Sequence, residues 1–378
     1  MDKFELPIIN GQTACGCNTA AASSDKAVPG LNQSFICGFV DTKAGWLPKV
    51  SSELKREDYW GSIKARWGVG RMDYKVDPGL YALGTPDDKS PVFVSANYKM
   101  SFDRLRSALK GRSCWILVLD TKGINVWCAA GKGTFGTEEL VRRIESSGLK
   151  NIVSHRKLIL PQLGAPGVSA HQVKKISGFN VQYGPILAED LEAYLDAGFK
   201  ATGPMRLKTF PLKERAVLIP IELVESLKTY LILAAAFFIA SGFIGPAGFR
   251  ANAAGFGLFA VLALLAAIIG GAVINPLLLP YLPGRAFSIK GFSAGIAVAL
   301  ILLYLRHINL SAWPGRMEAA AWCLIIPAIS GYLALNFTGC STYTSISGVK
   351  KEMRWALPLM IACGGVGVVM WIGALWIA

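Results

Sequence analysis

The sequence predicts an α/β domain, with an open and mostly parallel sheet carrying helices on both faces, followed by an all-α domain of five transmembrane helices. Three observations carry this prediction. Apolar residues make up 52% of the 378 positions, more than an ordinary soluble chain holds, and the excess lies after Lys228. That second part breaks into five apolar stretches, each close to the ~20 residues that a helix needs to cross a bilayer. In the first part, strand, glycine loop and helix patterns repeat three times.

Residues 1–38 read as a mobile tail, rich in Gly, Ala and Ser around Cys15 and Cys17. The start, Met1-Asp2-Lys3-Phe4-Glu5-Leu6-Pro7, has no apolar core segment of a signal peptide, so the next domain is expected in the cytoplasm. The eight cysteines form no C-x-x-C pair and read as free thiols; Cys15, Cys17 and Cys37 make a weak case for a metal site.

Residues 39–210 form the expected soluble domain. Residues 114–120 contain the continuous apolar run Trp115-Ile116-Leu117-Val118-Leu119, the pattern of a strand buried on both faces. A helix begins near Thr137, with Glu138 and Glu139 in its first turn. A second strand, 157–160, ends in the loop Pro161-Gln162-Leu163-Gly164-Ala165-Pro166-Gly167-Val168. A third, 179–183, is closed by Gly184-Pro185 and followed by a helix over 188–196. Residues 211–228 are the expected linker.

The transmembrane domain occupies 229–378, with spans at 229–249, 254–279, 286–306, 318–337 and 355–377. Pro276, Pro280 and Pro283 close the second span, and Trp313-Pro314-Gly315 separates the third from the fourth. With the soluble domain inside, the inner flanks carry Arg285, Lys290, Lys350, Lys351 and Arg354, and the outer ones Arg250, Arg306 and Arg316. This agrees with a multi-pass protein of the cytoplasmic membrane. Ionisable residues are nearly absent mid-span, which favours an anchor or docking scaffold over a pump. A transport path would have Asn275, Asn336 and Thr338 to line it, while Gly291 and Gly295 suit close helix packing.

The net charge is +14, and somewhat more than half of it lies in the part that ends with Lys228. A basic domain next to a membrane reads as a face attracted to anionic headgroups. No recognition helix or RNA-binding signature supports nucleic acid as the partner.

The chemistry concentrates in Asn125-Val126-Trp127-Cys128-Ala129-Ala130-Gly131-Lys132, which joins the first strand to the helix near Thr137. Gly131-Lys132-Gly133-Thr134-Phe135-Gly136 fits G-x-G-x-x-G, but residues 148–168 hold no Asp or Glu for a ribose. Gly133 after Lys132 also departs from a P-loop. The glycines are better read as letting the backbone pass close to a flat, bulky ligand. Cys128 has two readings on its residues alone. One is a small buried hydrophobe at a strand end. The other is a thiolate ligand or nucleophile, its pKa lowered by Lys132 and an adjacent helix N-terminus.

The run from Gly123 through Trp127-Cys128 to Thr137 resembles the signature of the mercury-methylating corrinoid protein family (HgcA). That family is related to the corrinoid-binding domain of the corrinoid iron–sulfur protein of acetyl-CoA synthesis. Further matches are Val69-Gly70-Arg71-Met72-Asp73-Tyr74-Lys75-Val76-Asp77-Pro78-Gly79-Leu80-Tyr81, Ala96-Asn97-Tyr98-Lys99 and Ser101-Phe102-Asp103. The Gly164–Val168 loop, the Gly184-Pro185 step and the five C-terminal spans also fit, so the resemblance covers nearly everything after about Phe39.

The resemblance implies a cobalt corrinoid held by Asn125, Val126, Trp127, Cys128, Ala129, Ala130, Gly131, Lys132, Thr134 and Phe135. The loops would add Gly164, Ala165, Gly167, Val168, Gly184 and Pro185. Cys128 would be the catalytic residue and lower axial ligand, its soft thiolate pushing electron density onto the metal. The implied activity is transfer of a methyl group from cobalt to inorganic Hg(II), presented as a thiol complex. The sequence has no iron–sulfur cysteine set. The implied electron donor is therefore a separate small ferredoxin, and the methyl donor a protein or a methyltetrahydrofolate-linked methyltransferase. The alternative is a membrane-attached corrinoid methyl carrier in one-carbon metabolism, without mercury as substrate.

Overall fold

The computed structural model describes residues 29–337 and 346–378. Cys15, Cys17, Thr338 and Cys340 lie outside the described residues. The chain divides into two compact units. One reaches to Ala65 and resumes over Val69–Thr209; the other takes Arg66–Gly68 and Phe210–Ala378.

The first unit is a seven-stranded sheet. Its elements in chain order are β1 (Ile36–Thr42), β2 (Gly45–Val50), α1 (Arg56–Arg66), β3 (Gly79–Leu83), β4 (Val92–Ala96), α2 (Lys99–Ala108) and β5 (Cys114–Leu119). There follow α3 (Val126–Lys132), α4 (Thr137–Ser146), α5 (Leu149–Ile152), β6 (Lys157–Leu160), α6 (Ala170–Ser177), β7 (Asn180–Tyr183) and α7 (Leu191–Asp196). The strand order is β1-β2-β3-β5-β4-β6-β7. Neighbours pair in parallel at β2/β3, β4/β5, β4/β6 and β6/β7, and antiparallel at β1/β2 and β3/β5. The sheet is therefore mixed but mostly parallel, as expected.

Alternation along the central strands sends side chains to two separate cores. Leu80, Ala82, Val94, Trp115, Leu117 and Leu119 face one, together with Ala129 of α3 and Leu140 and Ile144 of α4. Tyr81, Leu83, Phe93, Ile116 and Val118 face the other, with Phe102 and Leu105 of α2 and Tyr194 of α7. Helices thus cover both faces, and all six residues of β5 are buried. The hairpin β1–β2 turns at Gly45, whose φ of 101° suits glycine. Thr42 Oγ1 closes that turn by donating to the Gly45 carbonyl at 2.7 Å.

A buried ion cluster fastens α1 to α2. Asp58 accepts from Lys99 and, at 2.8 Å, from Arg106 Nη2, while Asp103 accepts from Lys99 Nζ at 2.7 Å and Arg106 Nε at 2.8 Å. Arg106 also donates to the carbonyls of Ser51 and Glu53. Burial raises the Asp58 carboxyl, but the hydrogen bonds from Lys99 and the Lys55 N–H and the charges of Lys99 and Arg106 outweigh it. The balance holds Asp58 below its ordinary value of 3.8.

Three local differences from the sequence reading stand out. Residues 36–38, placed in the tail, already belong to β1. The segment 125–132, expected to adjoin a helix start near Cys128 and to lead to the helix near Thr137, forms the short helix α3 on its own and ends before the second one begins. The region 211–228, expected as a linker, is largely helical: helices run over Leu212–Ala216 and Ile219–Ile244.

The second unit contains five helical segments long and apolar enough to span a membrane: Leu212–Ile244, Phe249–Leu278, Phe287–Leu305, Trp313–Asn336 and Gly348–Trp376. Trp313-Pro314-Gly315 begins the fourth helix, with the proline in its first turn, where its missing N–H costs nothing. Gly291 and Gly295 bring the third span close to the fourth. A Cβ at Gly291 would lie 2.3 Å from that of Ala334, and one at Gly295 would lie 2.6 Å from Pro327 Cα.

Candidate functional site

The loops after β4, β5, β6 and β7 leave the carboxyl ends of parallel strands, where open α/β sheets carry their ligand-facing groups. The loop after β5 is the most constrained. Lys122 and Gly123 both take positive φ, 56° and 73°. A lysine in that region carries strain and has to be held there.

Asn97, at the end of β4 and only 2% exposed, does the holding. Its Oδ1 accepts from Thr121 N at 3.1 Å, Thr121 Oγ1 at 2.8 Å and Gly123 N at 2.9 Å. Its Nδ2 donates to Asp120 Oδ1 at 3.2 Å, and Asp120 Oδ1 also accepts from Lys122 N at 3.0 Å. Thr121 Oγ1 in turn donates to the Ile124 carbonyl at 2.7 Å. From α4, Glu139 accepts the Asp120 N–H at 2.8 Å while paired with Arg142 and Arg143. Every bend between Asp120 and Ile124 therefore has a hydrogen-bond partner, and the start of α3 is fixed.

Asn125 caps α3. Its backbone is extended, and its side-chain oxygen accepts the Cys128 N–H at 3.0 Å. Cys128 is the third residue of the helix. It is half-buried, as are Asn125, Val126 and Trp127, and Val126 and Cys128 pack against the first core. Gly133 ends the helix with φ 81°, leaving Gly131, Lys132 and Gly133 exposed. The thiol is therefore neither sealed in the core nor freely solvated. Cys114, on β5, contrasts with it: burial pushes that thiol up to about 12.

The loop after β6 interlocks with the segment after α3. A Cβ on Gly167 would fall 2.1 Å from the Phe135 carbonyl oxygen and 3.0 Å from Ala130 Cα. One on Gly164 would fall 2.5 Å from the Phe135 ring. Ser169 N donates to Thr137 Oγ1 at 2.8 Å, and Tyr183 Oη of β7 donates to the Val168 carbonyl at 2.7 Å. The structure thus joins Ala130, Phe135, Gly164, Gly167 and Val168 into one body. Gly184 and Pro185 are buried at the end of β7, where Gly184 N donates to the Leu160 carbonyl at 2.8 Å.

Of the residues singled out from sequence, Asn125, Trp127, Cys128, Gly131, Lys132, Thr134 and Ala165 present surface. Ala129, Ala130, Phe135 and Val168 belong to the core and hold the others in place. At Gly164 and Gly167 the structure gives glycine a packing reason: their Cβ positions are taken by Phe135 and Ala130. Sequence reasoning missed the structural parts of Asn97, Thr121, Glu139 and Tyr183. Asn97, Glu139 and Tyr183 stood in runs already singled out, but no spacing rule ties Asn97 to partners 23 to 26 residues away.

An α/β domain with one half-exposed cysteine at the carboxyl ends of its strands, on a chain with five candidate membrane spans, is the class that fold and site define. Residues 69–193 match the family model described as CO dehydrogenase/acetyl-CoA synthase delta subunit. The acetyl-CoA decarbonylase/synthase complex subunit gamma of Methanopyrus kandleri is 31% identical over 128 residues, 33% of this chain and 27% of that protein. The subunit gamma of Methanocaldococcus jannaschii is 37% identical over 97 residues, 25% of this chain and 20% of that protein. The chain thus spans about a quarter of the length of these relatives, and the family model matches it from just after α1 into α7.

Proposed function

We propose that this protein is a membrane-anchored, corrinoid-dependent methyltransferase that delivers a methyl group to inorganic Hg(II). The observation that carries the reading is the placement of Cys128: a half-buried thiol on the first turn of a rigidly launched helix, at the carboxyl ends of the strands.

The donor set fits a corrinoid better than a protein-built metal site. Among the described residues no three His, Cys, Asp or Glu side chains gather to hold an ion. A lone thiolate is enough as an axial ligand to a metal that brings its own equatorial nitrogens, and soft sulfur suits cobalt. Cys128 would be that ligand, with Asn125 fixing its backbone and Trp127 and Lys132 bordering the cofactor. Gly131, Thr134 and Ala165 complete the proposed binding surface, and the buried Gly184-Pro185 step would support it from behind. When bound, the corrinoid would supply methyl-transfer chemistry, and the Cys128 thiolate would hold the group and make its metal electron-rich, which suits an electrophilic acceptor such as Hg(II). The chain's own part is to orient that ligand and border the cofactor.

A ferredoxin-type iron–sulfur protein is the proposed electron donor, and a methyl donor protein or methyltetrahydrofolate-linked methyltransferase the proposed source of methyl groups. The proposed location is the cytoplasmic membrane, with residues 39–210 on its inner side and 229–378 forming the membrane domain. A second reading, a membrane-attached methyl carrier in one-carbon metabolism, is favoured by the likeness of residues 69–193 to subunits of acetyl-CoA synthesis complexes. The deciding experiment loads the purified protein with methylated corrinoid and adds thiol-bound Hg(II). Methylmercury formed by the wild type and lost in Cys128→Ala supports methyltransfer to mercury. Corrinoid binding with no methylmercury at all supports the carrier.

A further inference from the structure

The outward side of α1 is apolar where a helix of a soluble domain should be polar. Asp58 and Ala65 point inward and are buried. Trp60 and Ile63 lie on the opposite side, with Tyr59 beside them, and stand 59%, 43% and 58% exposed. Val69 and Met72, in the connection after the helix, add two more exposed apolar side chains at 61% and 41%. With Trp67, also half exposed, six large apolar residues in 14 positions form a surface that a solvated face does not explain.

We propose that this face of α1 rests on the headgroup layer of an anionic bilayer. Tyr and Trp are the side chains that favour the boundary between water and hydrocarbon, since each has an apolar body and a polar tip. Cations flank them on the same side: Arg56 and Lys64 are both exposed, and Lys64 Nζ lies 5.9 Å from the Trp60 ring centroid. Their long stems can lie along the aromatic surface while their charges reach phosphates. Two acidic residues, Glu57 on the helix and Asp73 beyond Met72, are exposed beside the stripe, while Asp58 is turned inward onto Lys99 and Arg106. The bilayer is also the partner this chain carries with it. The α/β unit ends at Thr209 and a candidate span starts at Leu212, so a membrane is tethered to α1 at high effective concentration. The proposal does not depend on the corrinoid reading.

The test uses the full chain, with Cys37 replaced by Ser, in phosphatidylcholine vesicles with or without phosphatidylglycerol. A spin label is placed at Ile63→Cys and, as a control on an exposed position of α6, at Lys174→Cys; the signal from unsubstituted protein is subtracted. The label at 63 is expected to be more accessible to oxygen than to a water-soluble nickel complex, more so with phosphatidylglycerol, while the label at 174 stays aqueous. Trp60→Glu should return the label at 63 to water without changing the far-ultraviolet circular dichroism of the protein. An aqueous label at 63 in both vesicle types overturns the proposal. So does protection from both relaxants in detergent, the mark of a contact with a second copy, or protection that appears only when corrinoid is added.

Discussion

Asn97 Oδ1 and Thr121 Oγ1 lie 2.8 Å apart, and this bond links the end of β4 to the loop that launches the cysteine-bearing helix. The same oxygen holds the backbone N–H groups of Thr121 and Gly123, so one side-chain amide sets the path of a loop whose next residue but one caps α3. Asn97→Leu fills similar space but leaves these buried donors without an acceptor, which should cost about 2–4 kcal/mol. Hydrogen exchange should speed up across residues 120–128 more than in β5. Unchanged protection there would remove Asn97 from its positioning role.

Cys128→Ala should leave melting temperature and sheet content intact, because the side chain is only half-buried and the cap from Asn125 reaches the backbone N–H. Corrinoid-loaded wild-type protein should show an absorption band that the variant lacks, and methylmercury formation in cells should fall by at least tenfold. Full activity in the Ala variant would sink the assignment.

Thiol reactivity should separate the cysteines of the α/β unit. At pH 8 Cys114 should stay unmodified by a maleimide until the protein unfolds, because burial keeps its thiol protonated up to about 12. Exposed Cys37 and half-buried Cys128 should react in the native state, and peptide mass spectrometry reads all three.

Acid should loosen the packing of α1 on α2. The Asp58 carboxyl sits below 3.8 when folded, so the unfolded chain binds its proton more readily. The stabilisation is thus complete above the unfolded pKa and is lost as pH falls from about 4 through the lower folded value. Arg106→Met leaves Asp58 and Asp103 with Lys99 alone and should destabilise the unit by about 3–5 kcal/mol, as breaking a buried pair does. Chemical denaturation at pH 7 and at about pH 2.5, below the unfolded carboxyl value, checks both. An equal Arg106→Met penalty at the two values would contradict the linkage.

A fragment ending at Thr209 should fold better than one ending near Glu225. The helix that runs over Ile219–Ile244 has already begun by Glu225, and the α/β unit closes at Thr209. Expressing both and comparing soluble yield and corrinoid stoichiometry tests this. A soluble shorter fragment that binds no corrinoid would mean that the membrane half helps to build the site.

The strands over 114–119 and 157–160 were legible because long apolar runs or a glycine loop marked them. The spans were legible because their lengths match a bilayer. By contrast, β3 and β4 are five residues each and fully buried, too short for periodicity to separate strand from helix. The cysteine-bearing run was visible as chemistry and as a helix start near Cys128, but its early end was not, since seven residues with two glycines nearby give little propensity to set a boundary. Asn97 stayed hidden because its meaning lies in partners brought near only by the pairing of β4 with β5.

The contact of Gly164 and Gly167 with Phe135 has a consequence for engineering and for descent. Two connections far apart in the chain share one interlocking surface, so neither can be exchanged alone. A chimaera that imports the 125–137 segment from a relative, and keeps the native 161–169 loop, will succeed only where the incoming side chain at 135 has the same shape. The two segments should be inherited and transplanted together, as a single cassette.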